Sequence, residues 1–123
     1  MSKLDLAAAW LLVILGAIHN LVVAPMSFHG LDGRALWFVT GGISLWFGGA
    51  INLIWLTNRD RPRIRFTALA ADLVLLAFVV AYAVVMHQLT KPAGLLLIFV
   101  VAWLTGRALT ARAPATERRD RAA

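Results

Sequence analysis

Residues 6–24 read LAAAWLLVILGAIHNLVVA, apolar throughout except for His19 and Asn20 near one end. At about 1.5 Å rise per residue such a helix nearly spans a hydrocarbon layer of about 30 Å. Blocks of the same kind follow at residues 35–56, 66–87 and 93–109. None alternates with period two, which argues against a β-barrel. Composition agrees. Of 123 residues, 61% are hydrophobic and 15% charged, with a mean hydropathy of +0.79. Soluble domains carry about half apolar and about a quarter charged residues. The sequence therefore predicts an all-α membrane protein: four transmembrane helices in an up-down-up-down antiparallel bundle over residues 1–109. A basic, disordered tail is expected over residues 110–123, where no apolar face remains.

The first block is read as a retained helix. Lys3 precedes it as in a signal peptide, but the apolar run is too long, and Pro25 follows where a cleavage site would need small residues. Cysteine is absent, so neither disulfides nor thiolate chemistry contribute. The net charge of +6 is better read as topology than as nucleic-acid affinity. With four spans, Lys3, Arg59, Arg61, Arg63, Arg65, Arg107, Arg112, Arg118, Arg119 and Arg121 share one side, leaving Arg34 and Lys91 on the other. Ten of the twelve basic residues on one side place both termini in the cytoplasm. The expected location is a bacterial inner membrane, with the bilayer as partner and no nucleic acid.

Local signals mark the boundaries. Pro25 is expected to end the first helix, since its ring clashes with the preceding turn and it lacks an N–H. SFHGLDGR (27–34) makes an outer loop and TNRDRPRIR (57–65) an inner one, with Pro62 at or just before the start of the third helix. MHQLTKPAG (86–94) makes the last turn, with Thr90 as an expected N-cap and Pro92 near the first helical position. Such short loops join neighbouring helices.

Depth sorts the polar residues into two layers. His19, about 9 Å below the outer boundary, is joined by Thr40 and Tyr82. Asn52 and Asp72, about 6 and 9 Å above the inner boundary, form the other layer with Thr105. Trp37, Gly41, Ser44, Gly48 and Asn52 recur at three- and four-residue spacing, which puts them on one face of the second helix. Gly41 and Gly48 there suit close helix packing. They equally leave room for a flat ligand between Trp37 and Asn52. Asp72 is costly at its depth, so it is expected to face the bundle interior or water. It can lock the second and third helices through Asn52, couple a proton or recognise a cation, or reach the inner interface helped by Arg65. Asn20, four residues from Gly16, suits a close helix approach, and His19 is expected to bond Thr40 or Tyr82 across the bundle.

His19, His29, His87, Met26 and Met86 all fall in the outer half, a donor set that suits copper or haem iron, although no metal-binding spacing is present. No nucleophile–base pair, paired carboxylate or phosphate-cradling loop is visible. His19 and Asp72 stand about 12 Å apart in depth, too far to serve one reacting atom. Catalysis is not expected, and no cofactor is assigned. The architecture is similar to that of small drug-exporting four-helix proteins, but those carry a glutamate in the first helix where this chain offers His19, so no family is assigned. The leading reading is a protein that binds or transports a small hydrophobic or amphiphilic molecule. His19, Asn20, Trp37, Thr40, Ser44, Asn52, Asp72 and Tyr82 are its candidate ligand or proton-coupling residues. The alternatives are a non-catalytic accessory subunit of a larger membrane complex and an outer-face metal or haem protein. A homodimer or a partner membrane subunit is expected because four helices enclose little space.

Overall fold

The computed structural model describes residues 2–112 and residue 122, so most of the expected tail lies outside the described residues. The described chain is helical, and four of its helices are long and apolar enough to cross a membrane. They are α1 (Lys3–Ser27), α2 (Gly33–Thr57), α3 (Pro62–Val85) and α4 (Pro92–Thr110). The Ser2 side chain caps α1 by accepting from the Leu4 N–H, 3.2 Å away. Asp32 caps α2 through the Ala35 N–H at 2.8 Å. Pro62 and Pro92 open α3 and α4, where a missing N–H costs nothing. Lys91, not Thr90, precedes α4, and it makes no side-chain cap.

Pro25 does not end α1. Between His19 and Val23 the helix widens into a π turn, with the Ala24 N–H reaching back to the His19 carbonyl. In a regular turn the Pro25 ring would meet the Leu21 carbonyl. The wider turn accommodates the ring, and helix continues through Ala24–Ser27. The end of α3 has a different device. Gln88 N–H bonds the Ala83 carbonyl at 2.8 Å and His87 N–H the Val84 carbonyl at 3.3 Å, the paired bonds of a Schellman cap. His87 occupies its left-handed position with φ 50°, where glycine is usual.

Buried residues mark one stripe on each helix. On α1 it runs Asp5, Ala9, Leu12, Gly16, and on α3 Ala68, Asp72, Leu75, Val79, Ala83. These spacings of three and four keep each stripe on one helical face. The stripes meet Leu45, Trp55 and Leu56 of α2 and Val100, Val101, Leu104 and Ala108 of α4 to form the core.

Glycine sets how closely α1 and α2 approach. A Cβ on Gly49 would lie 2.8 Å from the Ala9 carbonyl oxygen and 2.9 Å from the Val13 nitrogen, while one on Gly16 would lie 2.6 Å from the Gly42 carbonyl oxygen. The face expected from Trp37, Gly41, Ser44, Gly48 and Asn52 is thus divided. Gly48 receives the Leu75 side chain of α3, Gly41 looks toward His19, and Trp37 is exposed. The approach to α1 uses Gly42 and Gly49, one position further along the helix.

Candidate functional site

Polar side chains gather in three places, and the first joins α2 to α3. The Asn52 amide donates to the Asp72 carboxylate at 2.6 Å and to the Gly48 carbonyl at 2.9 Å. Both residues are fully buried, so Asp72 does not reach toward the membrane boundary. Arg65 turns elsewhere, donating to the Ala108 and Leu109 carbonyls at 2.8 and 3.0 Å. It thereby satisfies two of the open carbonyls at the C-terminus of α4. Thr105 donates within its own helix, to Val101.

The second cluster was not anticipated from the sequence. Asp5, fully buried in the first turn of α1, accepts from Arg59 at 2.8 Å, Arg107 at 2.9 Å and the Trp103 indole at 3.2 Å. These partners come from the α2–α3 connection and from α4, so one carboxylate ties three parts of the chain together. Arg59 also lies over the Trp55 ring, 5.4 Å from its centroid. A signal for Asp5 was present: it continues the Ala9–Leu12–Gly16 stripe by one more turn. Assigning the first span from residue 6 left it outside the helix.

At the far end of the bundle, α2 and α3 leave a gap. Leu75 fills the space over Gly48, but a Cβ at Gly41 would meet only His19 Nε2, at 3.8 Å. A cavity of about 680 Å³ lies here. Trp37, Phe38, Gly41 and Leu45 of α2 face Phe78, Val79 and Tyr82 of α3 across it. Ala93, Gly94 and Leu97 of α4 close another side, His19 and Phe28 approach from α1 and the loop after it, and Arg34 adds a cation. The volume falls within the range of about 300–1,000 Å³ common for small-molecule sites.

His19 is the polar group of this wall at the π turn. Its Nε2 lies 2.9 Å from the Phe38 carbonyl oxygen, and its ring stacks on Phe38 with centroids 3.9 Å apart. A carbonyl only accepts, so Nε2 carries the hydrogen, and Nδ1 of the neutral ring is an acceptor. Nδ1 makes no hydrogen bond among the described residues, and it is not sealed in the interior. The expected bonds from His19 to Thr40 or Tyr82 do not form. Thr40 donates instead to the Leu36 carbonyl and Ser44 to the Thr40 carbonyl, each one turn back along α2. A short hydroxyl on a helix reaches its own backbone more readily than a neighbouring helix.

The expected site residues therefore separate. His19, Trp37, Gly41 and Tyr82 line the cavity, whereas Asn20, Thr40, Ser44, Gly48, Asn52 and Asp72 do not. Asn20 packs its amide on Gly42, leaving its carbonyl oxygen buried without a partner among the described residues. Of the histidine and methionine set, only His19 and Met86 border the cavity, while Met26, His29 and His87 are exposed elsewhere. Among the described residues no three His, Cys, Asp or Glu side chains stand close enough to hold a metal ion. No protein-family model, curated protein or solved structure matches the chain.

Proposed function

We propose that this chain is a small integral membrane protein that binds a flat, hydrophobic or amphiphilic small molecule between α2 and α3. The reading rests on an apolar cavity lined by His19, whose Nδ1 has no hydrogen bond among the described residues. Trp37, Phe38, Phe78 and Tyr82 supply aromatic surface on which a ring can pack. A ligand hydroxyl donating to Nδ1 would be oriented by it, and Arg34 near the opening would favour a polar or anionic end. Asp72 lies off this cavity and is held by Asn52, so the proposal assigns it to packing rather than to ligand recognition or proton coupling.

The bundle is proposed to run up-down-up-down with both termini cytoplasmic. Two observations support that orientation: the excess of arginine on one side, and the meeting of Asp5, Arg59 and Arg107 at one end.

The test compares 1-naphthol with naphthalene on the full chain in lipid nanodiscs, with saturable binding as the readout. One net hydrogen bond predicts about two- to tenfold tighter binding of 1-naphthol. His19→Phe should abolish that preference while leaving naphthalene bound. Gly41→Leu should block both, since its side chain grows into open space without meeting backbone. Binding that never saturates, or that survives Gly41→Leu unchanged, overturns the proposal.

A further inference from the structure

From the opposite end of the bundle, we infer that Arg59 and Arg107, bridged by Asp5, hold the phosphate of an anionic lipid headgroup. The argument starts from charge. Two guanidinium groups share one buried carboxylate, at 2.8 and 2.9 Å, so the cluster retains one positive charge. Asp5 also accepts from Trp103, leaving its oxygens well supplied with donors.

The arginines are not equally well supplied with acceptors. Each guanidinium has five N–H donors. Apart from Asp5, neither finds a hydrogen-bond acceptor among the described residues. Both Nε groups are buried and turned inward, Arg107 Nε lying 2.9 Å from an Asp5 oxygen off a bonding angle, so the donors open to a ligand are those on the Nη atoms. Their side chains remain 36% and 40% exposed, so the outward N–H groups are accessible. A phosphodiester brings one negative charge and two unesterified oxygens, which match the surplus charge and the open donors.

Position selects the source of that phosphate. The cluster sits where α1 begins, α2 has just ended and α4 approaches its end, the level at which a spanning helix meets the headgroups. Trp103 is part of it, and indole rings favour that boundary. The lipid of the adjacent leaflet is therefore the ligand, with its acyl chains along the apolar helix surfaces. An anionic headgroup is preferred over a zwitterionic one because the latter brings a cation with its phosphate.

Native mass spectrometry of the full chain tests this, after release from vesicles of equal phosphatidylglycerol and phosphatidylcholine. Retention of phosphatidylglycerol about fivefold above phosphatidylcholine is expected, the effect of one cationic charge at a membrane surface. Arg107→Gln should remove that preference, and Asp5→Asn should raise it by removing the negative charge that offsets one guanidinium group. A circular dichroism spectrum of each variant checks its helix content. The wild-type comparison stands even where a variant does not fold. Equal retention of the two lipids by the wild type overturns the inference, as does an unchanged preference in folded Arg107→Gln. Inorganic phosphate competing the lipid away at millimolar concentration would show a free-anion site and overturn the assignment to lipid.

Discussion

The Asp5 cluster and the His19 cavity stand at opposite ends of α1 and handle polarity in opposite ways. At the Asp5 end, charge is met by charge from two other parts of the chain, and Asn52 meets Asp72 one layer further in. At the His19 end, the imidazole has one backbone partner and keeps a second nitrogen open beside a cavity. The difference teaches what buried polarity does in each place. Groups that bond across helices specify packing, even where Asn52 Oδ1 and Asp72 Oδ2 have no partner among the described residues, whereas a group with an open atom beside space is available to a ligand.

Removing Asp5 should damage the comparison most. Asp5→Ala leaves two arginines facing each other without their shared carboxylate. Loss of one partner from a fully buried pair costs about 3–5 kcal/mol, and partial exposure of the arginines lowers the expectation here to about 2–3 kcal/mol. Unfolding in mixed micelles, followed by circular dichroism, measures this loss. A second change, Arg107→Leu, should restore part of it. If Asp5→Ala costs under about 0.5 kcal/mol, the cluster does not organise this end.

Gly49→Ala should come next, at about 1–3 kcal/mol, because its Cβ meets backbone of α1 that cannot move aside cheaply. Gly106→Ala is the matching control. Nothing lies within 4 Å of its added Cβ, so it should gain up to about 1 kcal/mol from helix propensity. Equal effects from the two substitutions would refute a glycine-set approach between α1 and α2.

Asn52→Leu removes the amide that Asp72 uses and should cost about 1–3 kcal/mol. Asp72→Asn keeps an acceptor oxygen for Asn52 and should cost less. The reverse order would mean that Asp72 has a function beyond locking α2 to α3. His87→Gly should have the smallest effect, a gain of about 0.5–1 kcal/mol from relief of the left-handed backbone. His19→Phe should differ from all of these by removing the preference for 1-naphthol while changing the unfolding curve little.

Much of the helical frame was legible because its causes are local. Long apolar blocks and the prolines that open α3 and α4 need no distant partner, whereas the expected cap at Thr90 does not form. Pro25 was misread because its effect depends on whether the preceding turn can widen, and neighbouring side chains influence that choice. Asp72 was legible as facing the interior or water because a carboxylate against lipid is costly. Asp5 lies on a regular face of α1, but a hydropathy boundary cut it away from its own stripe.

The cavity was less legible for a different reason. His19, Thr40 and Tyr82 could be grouped by depth, yet depth does not say which way a side chain points or where two helices part, and Thr40 lies off the cavity. Sequence alone determined the four apolar helices, since these follow from composition, helical rise and chain order. Only tertiary structure decided that Asp5 collects two arginines, that His19 turns to the Phe38 carbonyl and that α2 and α3 separate above Gly48. Those outcomes depend on the azimuth and spacing of packed helices, and many side chains set these together.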